Sequence, residues 1–185
     1  MLNEAAASRS PSLRTAFLDH LRPPHAAPFS VGSCAVVVGE DEADRLRADV
    51  VDIVAAAPRQ DQYQPTFDLL YRLFDSRAVC VFTRPQASAI GTPQAAMRQF
   101  AHSRALTDAL AADGVDLIVT SGPVAGTPWL PADVVTEPLL RLPDAVGWAF
   151  QVDLSQPERK PLLGRLVDRM RVIDVGATAT GMPDR

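Results

Sequence analysis

Basic runs, metal-ligand spacings and long apolar stretches are all missing from these 185 residues, and each absence removes a class of function. Arginines occur singly, and the formal net charge is −4. A free-standing nucleic-acid binder needs a positive face for phosphates, so that role is not expected. Histidine is scarce: His20, His25 and His102 show no H-x-x-x-H or other ligand spacing. The two cysteines, Cys34 and Cys80, sit in the apolar patterns Ser-Cys-Ala-Val-Val-Val and Val-Cys-Val-Phe, without CxxC spacing. They read as buried free thiols rather than as a disulfide or a metal pair. No apolar run reaches 18 residues, so no membrane span is predicted. The first residues carry neither a basic region nor a long apolar one, so the expectation is a cytoplasmic protein.

What is present suits an ordinary globular chain, with 47% hydrophobic and 22% charged residues. That length can bury a sizeable core. A first strand is predicted over 2–7. Ser10 and Pro11 then read as the start of a helix carrying Leu13, Phe17, Leu18 and Leu21 on one face, stopped by Pro23 and Pro24. A strand over 29–39, a helix over 41–49 and a strand over 50–57 follow, an alternation that implies a parallel sheet. Glu40, Asp41, Glu42 and Asp44 fit the first turn of that helix, where negative charge suits the dipole. One Gly amid these acids makes no phosphate loop. Further on, the patterns predict an extended segment over 67–74 and a strand over 78–83. Two helices follow, one opening at Thr92-Pro93 and one over 104–113 that ends at Gly114, then a strand over 115–120. An irregular stretch over 124–138, a return crossover over 138–143, a strand over 145–154 and a helix carrying Leu162, Leu163, Leu166, Val167 and Met170 complete the reading. A frayed tail is expected from 174.

The run from Phe67 to Ala87, FDLLYRLFDSRAVCVFTRPQA, preceded by the short helix and by Val50-Val-Asp-Ile-Val, has the order of a chain leaving one α/β lobe for another. With Leu2-Asn-Glu-Ala, Asp113-Gly-Val-Asp-Leu-Ile-Val-Thr and the stretch 139–170, it resembles the effector-binding domain of LysR-type transcriptional regulators over roughly residues 2 to 171. The resemblance implies an α/β fold of two Rossmann-like lobes of periplasmic-binding-protein type joined by two crossover strands, near Phe82 and Leu140. The first lobe would take 1–78 with 143–173, the second 79–142, and 174–185 would be a tail. It further implies a small-molecule effector, a small carboxylate or aromatic acid, bound between the lobes. A homodimer paired through first-lobe helices is implied too, with no direct DNA contact by these residues, no membrane association, no cofactor, no metal and no catalysis. Two departures stand out. These residues show no winged helix-turn-helix, and near 100–107 the strand and helix usual in the second lobe are missing.

In such folds ligands sit at the carboxyl ends of strands, facing helix N-termini. Ser8, Ser10 and Ser12 open the first predicted helix, where free N–H groups and hydroxyls can hold a carboxylate; simple N-capping explains them equally. Thr120 and Ser121 end the strand over 115–120 with the same chemistry. Pro58, beside Arg59, would shape the end of the strand over 50–57, and Thr83, beside Arg84, would line the crossover. Trp129 can stack on a ligand, whereas Trp148, inside a predicted strand, reads as core. Ser121 lacks the G-x-S-x-G elbow. The stretch 104–128 also resembles the late part of amidase-signature hydrolases, but no Gly-Ser-Ser-rich nucleophile segment accompanies it. The alternatives are therefore a hydrolase-like enzyme on an α/β scaffold, signalled by a cleft in which a histidine approaches Ser121 or an aspartate of perturbed pKa, and a ligand-free interaction module left after loss of a DNA reader.

Overall fold

The structure is a computed structural model that describes residues 13–19, 32–57, 63–85, 95–122, 124 and 129–175. Among the described residues, the α-helices and strands are β1 (Arg14–Asp19), β2 (Ser33–Gly39), α1 (Glu40–Ala56), α2 (Gln64–Phe74), β3 (Val79–Pro85), α3 (Ala95–Ala112), β4 (Leu117–Thr120), β5 (Trp129–Pro131), α4 (Arg141–Ser155) and β6 (Met170–Val175). The strands form one mixed sheet in the order β5-β4-β1-β2-β3-β6. β2 runs antiparallel to both neighbours, β1 and β3, while the β1/β4, β4/β5 and β3/β6 pairs are parallel. The protein is thus α/β, but its sheet is mixed rather than the parallel one that the predicted alternation implies, because β2 runs antiparallel between β1 and β3.

Side chains alternate along each central strand, and both faces are covered. Phe17, Cys34, Val36, Cys80 and Phe82 face one side, where α1, α2 and α4 deliver Leu46, Leu70, Leu73, Val146 and Ala149. Phe82 and Phe150 stack there with ring centroids 4.3 Å apart. Ala16, Leu18, Ala35, Val37 and Val81 face the other side, against Leu106 and Leu110 of α3. Burying a Leu or Phe contributes roughly 1.5–3 kcal/mol each, so these two clusters dominate the stability.

Several predicted elements change type. The segment Arg14–Asp19 is β1 rather than part of a helix, because Ala16, Phe17 and Leu18 are all buried, which a central strand covered on both faces permits and a one-faced helix does not. The strand predicted over 50–57 is the second half of α1: Leu46 and Val50, four residues apart, face the core, while Val51 and Val54 stay exposed. The weak helix propensity of Val and Ile is overridden by packing. The extended segment over 67–74 is α2, with Leu69, Leu70 and Leu73 on its inner face and Pro65 in its first turn. The strand over 145–154 is α4, burying Leu142, Val146, Ala149 and Phe150 at helical spacing. Trp148 accordingly lies on a helix, partly buried, edge-on to Phe67 at 5.7 Å. One helix, α3, replaces the two expected before Gly114, and a 3-10 helix, Gly164–Arg169, followed by β6 replaces the last one. The strand over 2–7 lies outside the described residues.

The lobe boundaries also change. Strands expected in the first lobe (β1, β2, β6) and in the second (β3, β4, β5) interleave in a single sheet. Phe82 is the middle of β3 rather than a crossover, and Leu140 closes a 3-10 turn, Pro138–Leu140, ahead of α4. The physical reason is pairing: β2 hydrogen-bonds β3 along five registered pairs, Ser33–Thr83 to Val37–Val79.

Other signals hold. Gly114 is the C′ residue of α3, with φ +71°. Its N–H donates to Ala111 O and that of Val115 to Leu110 O, the two bonds of a Schellman motif. Glu40, Asp41 and Glu42 form the first turn of α1, and Glu42 accepts the backbone N–H of Arg77 at 3.0 Å. Arg169 donates to the carbonyls of Phe74 and Ser76, closing the C-terminus of α2.

Cys34 pairs with Phe82 and Cys80 with Val36, so the thiols are diagonal neighbours across β2 and β3. Diagonal positions lie about 7–8 Å apart, outside the usual disulfide window. Burial pushes the Cys80 thiol up to about 12, with Arg169 opposing, and raises Cys34 well above its ordinary value, helped by the neighbouring Cys80 and by Asp19 and Asp144.

The cysteines and Gly32 each make this core testable. Both cysteines should resist a thiol reagent in the native state and titrate fully only on unfolding; one rapidly reacting thiol would contradict their burial. Because the unfolded thiols lose protons near their ordinary value of 9.0 while native Cys80 keeps its own to about 12, stability should fall as pH rises between those values. At Gly32 an added Cβ would overlap the His102 imidazole, whereas one at Gly164 meets only Pro161 Cβ at 3.8 Å. Gly32→Ala should cost about 1–3 kcal/mol in denaturant unfolding, and Gly164→Ala less than about 0.5 kcal/mol. Equal costs would show that the imidazole yields freely.

Candidate functional site: the carboxyl edge of β1 and β4

β1, β3, β4, β5 and β6 all point the same way, so their carboxyl ends share one edge of the sheet. That edge carries Asp19 at the end of β1, Thr120 and Ser121 at the end of β4, Thr83 near the end of β3, and Ser33 at the start of β2. Thr120 is buried, and its Oγ1 accepts the N–H of Gly122 at 3.3 Å, shaping the turn. Ser121 is exposed and donates through Oγ to Asp19 Oδ1 at 3.3 Å. Thr83 is fully buried; its Oγ1 accepts the Ser33 N–H at 3.0 Å, which commits it to holding β2 on β3. It stands three strands from Thr120, roughly 14 Å at the usual spacing. Arg84 is engaged with Asp174 of β6, whose carboxyl this hydrogen bond holds below its ordinary range. Of the residues singled out in the sequence, Thr120 and Ser121 therefore come together and Thr83 does not join them. Ser8, Ser10, Ser12 and Pro58, like Arg59, lie outside the described residues.

Two carboxylates that the sequence reading passed over complete the edge. Asp19 was masked by the helical reading of its segment; once β1 is a strand, Asp19 is its last residue and alternates onto the same face as Phe17. Asp144 lies in the first turn of α4, on that same side of the sheet. Its side chain reaches solvent, yet surrounding protein raises its pKa above the ordinary value, and the charge of Asp19 raises it further, with Arg141 opposing. The entry of α4 is fixed from below. Glu137 takes Arg47 of α1 in a two-pronged pair at 3.1 and 3.0 Å, and its Oε1 also accepts the Leu139 N–H. This anchors the turn that delivers Asp144.

The edge can offer a ligand one hydroxyl and two carboxylates. His102 is not among these groups. It projects from α3 on the opposite face and packs on Gly32. Trp129 is partly buried against the α3-side core rather than presented at the edge. Among the described residues, no group of three or more His, Cys, Asp or Glu is placed to hold a metal ion, and no helix is long and apolar enough to cross a membrane. A groove of about 610 Å³ runs between α1 and α2, but none of the edge residues lines it. Comparison with known proteins finds no matching family model, no matching curated protein and no matching solved structure.

The coupling of the two carboxylates is open to measurement. In a carboxyl NMR titration, Asp19→Asn should bring the Asp144 pKa down toward its ordinary value; an unchanged titration would separate the two groups. Since native Asp144 holds its proton to higher pH than the unfolded chain does, it costs stability as pH rises from 3.8 through its raised value, and the cost persists above it. Asp144→Asn should therefore raise the melting temperature at pH 7.

Proposed function

We propose that this chain is a small-molecule (effector) sensing domain that takes its ligand at the carboxyl edge of β1 and β4, in the transcription-regulating role implied by its resemblance to LysR-type effector domains. The observation that carries the reading is the contact of exposed Ser121 with Asp19, on the same side of the sheet as Asp144. Open α/β sheets place ligands at this end of their strands. A sensing role does not require two lobes, because one such edge with a helix entering beside it supplies hydroxyl, carboxylate and backbone groups. Two carboxylates repel an anion. A ligand bearing hydroxyl or amine donors therefore fits this edge better than the small carboxylate or aromatic acid that the resemblance implies. Homodimer formation, the absence of direct DNA contact and a cytoplasmic location belong to the same proposal.

Thermal unfolding against panels of polyols, amines and carboxylates tests it. A ligand at about 100 times its dissociation constant stabilises the fold by roughly 2.7 kcal/mol, a rise of about 5–10 °C for a chain of this length. A selective rise that Ser121→Ala and Asp19→Asn both abolish is the expected result. A flat response across all panels, or a hit that both variants retain, would overturn the site.

A second reading, a hydrolase-like enzyme using the same edge, is favoured by the raised pKa of Asp144. Partial burial and a neighbouring charge are how proteins keep a carboxylic acid protonated for catalysis. An enzyme would turn over the ligand found in the thermal panel and lose that turnover in Asp144→Asn with affinity retained. A sensor would return the ligand intact.

A further inference from the structure

We draw no further inference here: the strongest candidate, the open groove of about 610 Å³ between the C-terminal half of α1 and α2, lined by Ile53, Ala56, Pro65 and Tyr71 with Asp52 and Asp68, is a largely apolar helix-pair surface, and nothing in the structure shows what covers it.

Discussion

Burial of both faces of β1, β2 and β3 is the constraint on which the other elements depend. A strand with water on one side alternates apolar and polar residues, but Ala16-Phe17-Leu18 and Cys34-Ala35-Val36-Val37-Val38 have no polar member to turn outward. Each face then needs its own cover. α3 is the long helix on the side of Ala16, Ala35 and Val81, and it meets their small side chains with Leu106 and Leu110. The opposite side carries the bulkier Phe17 and Phe82 and takes three helices, α1, α2 and α4. The ion pairs are mostly exposed and contribute little by comparison. Arg47–Glu137 differs because it joins α1 to the turn before α4 in a bidentate geometry that also captures a backbone N–H.

The same constraint explains which parts of the fold were legible in the sequence. Strands β2, β3 and β4 and the end of α3 at Gly114 were readable, because turn residues bound short apolar runs and the glycine stands where a left-handed residue is needed. The errors share one cause. Val50-Val51-Asp52-Ile53-Val54 and Ala145-Val146-Gly147-Trp148 have strand composition, yet Val50 follows buried Leu46 by four residues, and 145–148 belong to a helix buried over most of its surface from Leu142 to Phe150. β-Branched content describes a local preference of under about 1 kcal/mol per residue, which a helix packed on a sheet overrides. Conversely, Leu13, Phe17 and Leu18 satisfy helical spacing by coincidence. Nothing local says that Ala16 is buried too, and that fact is supplied only by β2, β4 and α3.

The candidate site was half legible for a related reason. Thr120 and Ser121 follow a readable strand, so the rule that ligands meet strand ends finds them. Asp19 was hidden by the mistaken helix, and Asp144 by its place between a mistaken crossover and a mistaken strand. Thr83 was selected for its place at the end of a strand, but the antiparallel direction of β2 changes what that place means. Where β2 begins at Ser33, its first N–H groups need partners: Gly32 uses the Thr83 carbonyl and Ser33 uses the Thr83 hydroxyl. A hydroxyl beside an incoming antiparallel strand closes the sheet, whereas that of Ser121, just past the parallel pair β1/β4, meets solvent.

That contrast leaves the acidic edge as the place where the sequence works against its own stability. Asp144 sits in the first turn of a helix, where the dipole favours an ionised carboxylate, yet its pKa is raised, first by the protein around it and then by Asp19. Desolvation and like charge therefore outweigh Arg141. An asparagine would keep hydrogen-bonding capacity at that position without the repulsion, and the fold as described gives no structural reason to prefer the acid. Groups that cost stability while contributing nothing to packing are characteristic of sites that meet a ligand. The argument applies to Asp144, where removing the Asp19 charge relieves part of the shift. It does not extend to Cys34, whose neutral thiol is buried beneath them as an ordinary member of the core.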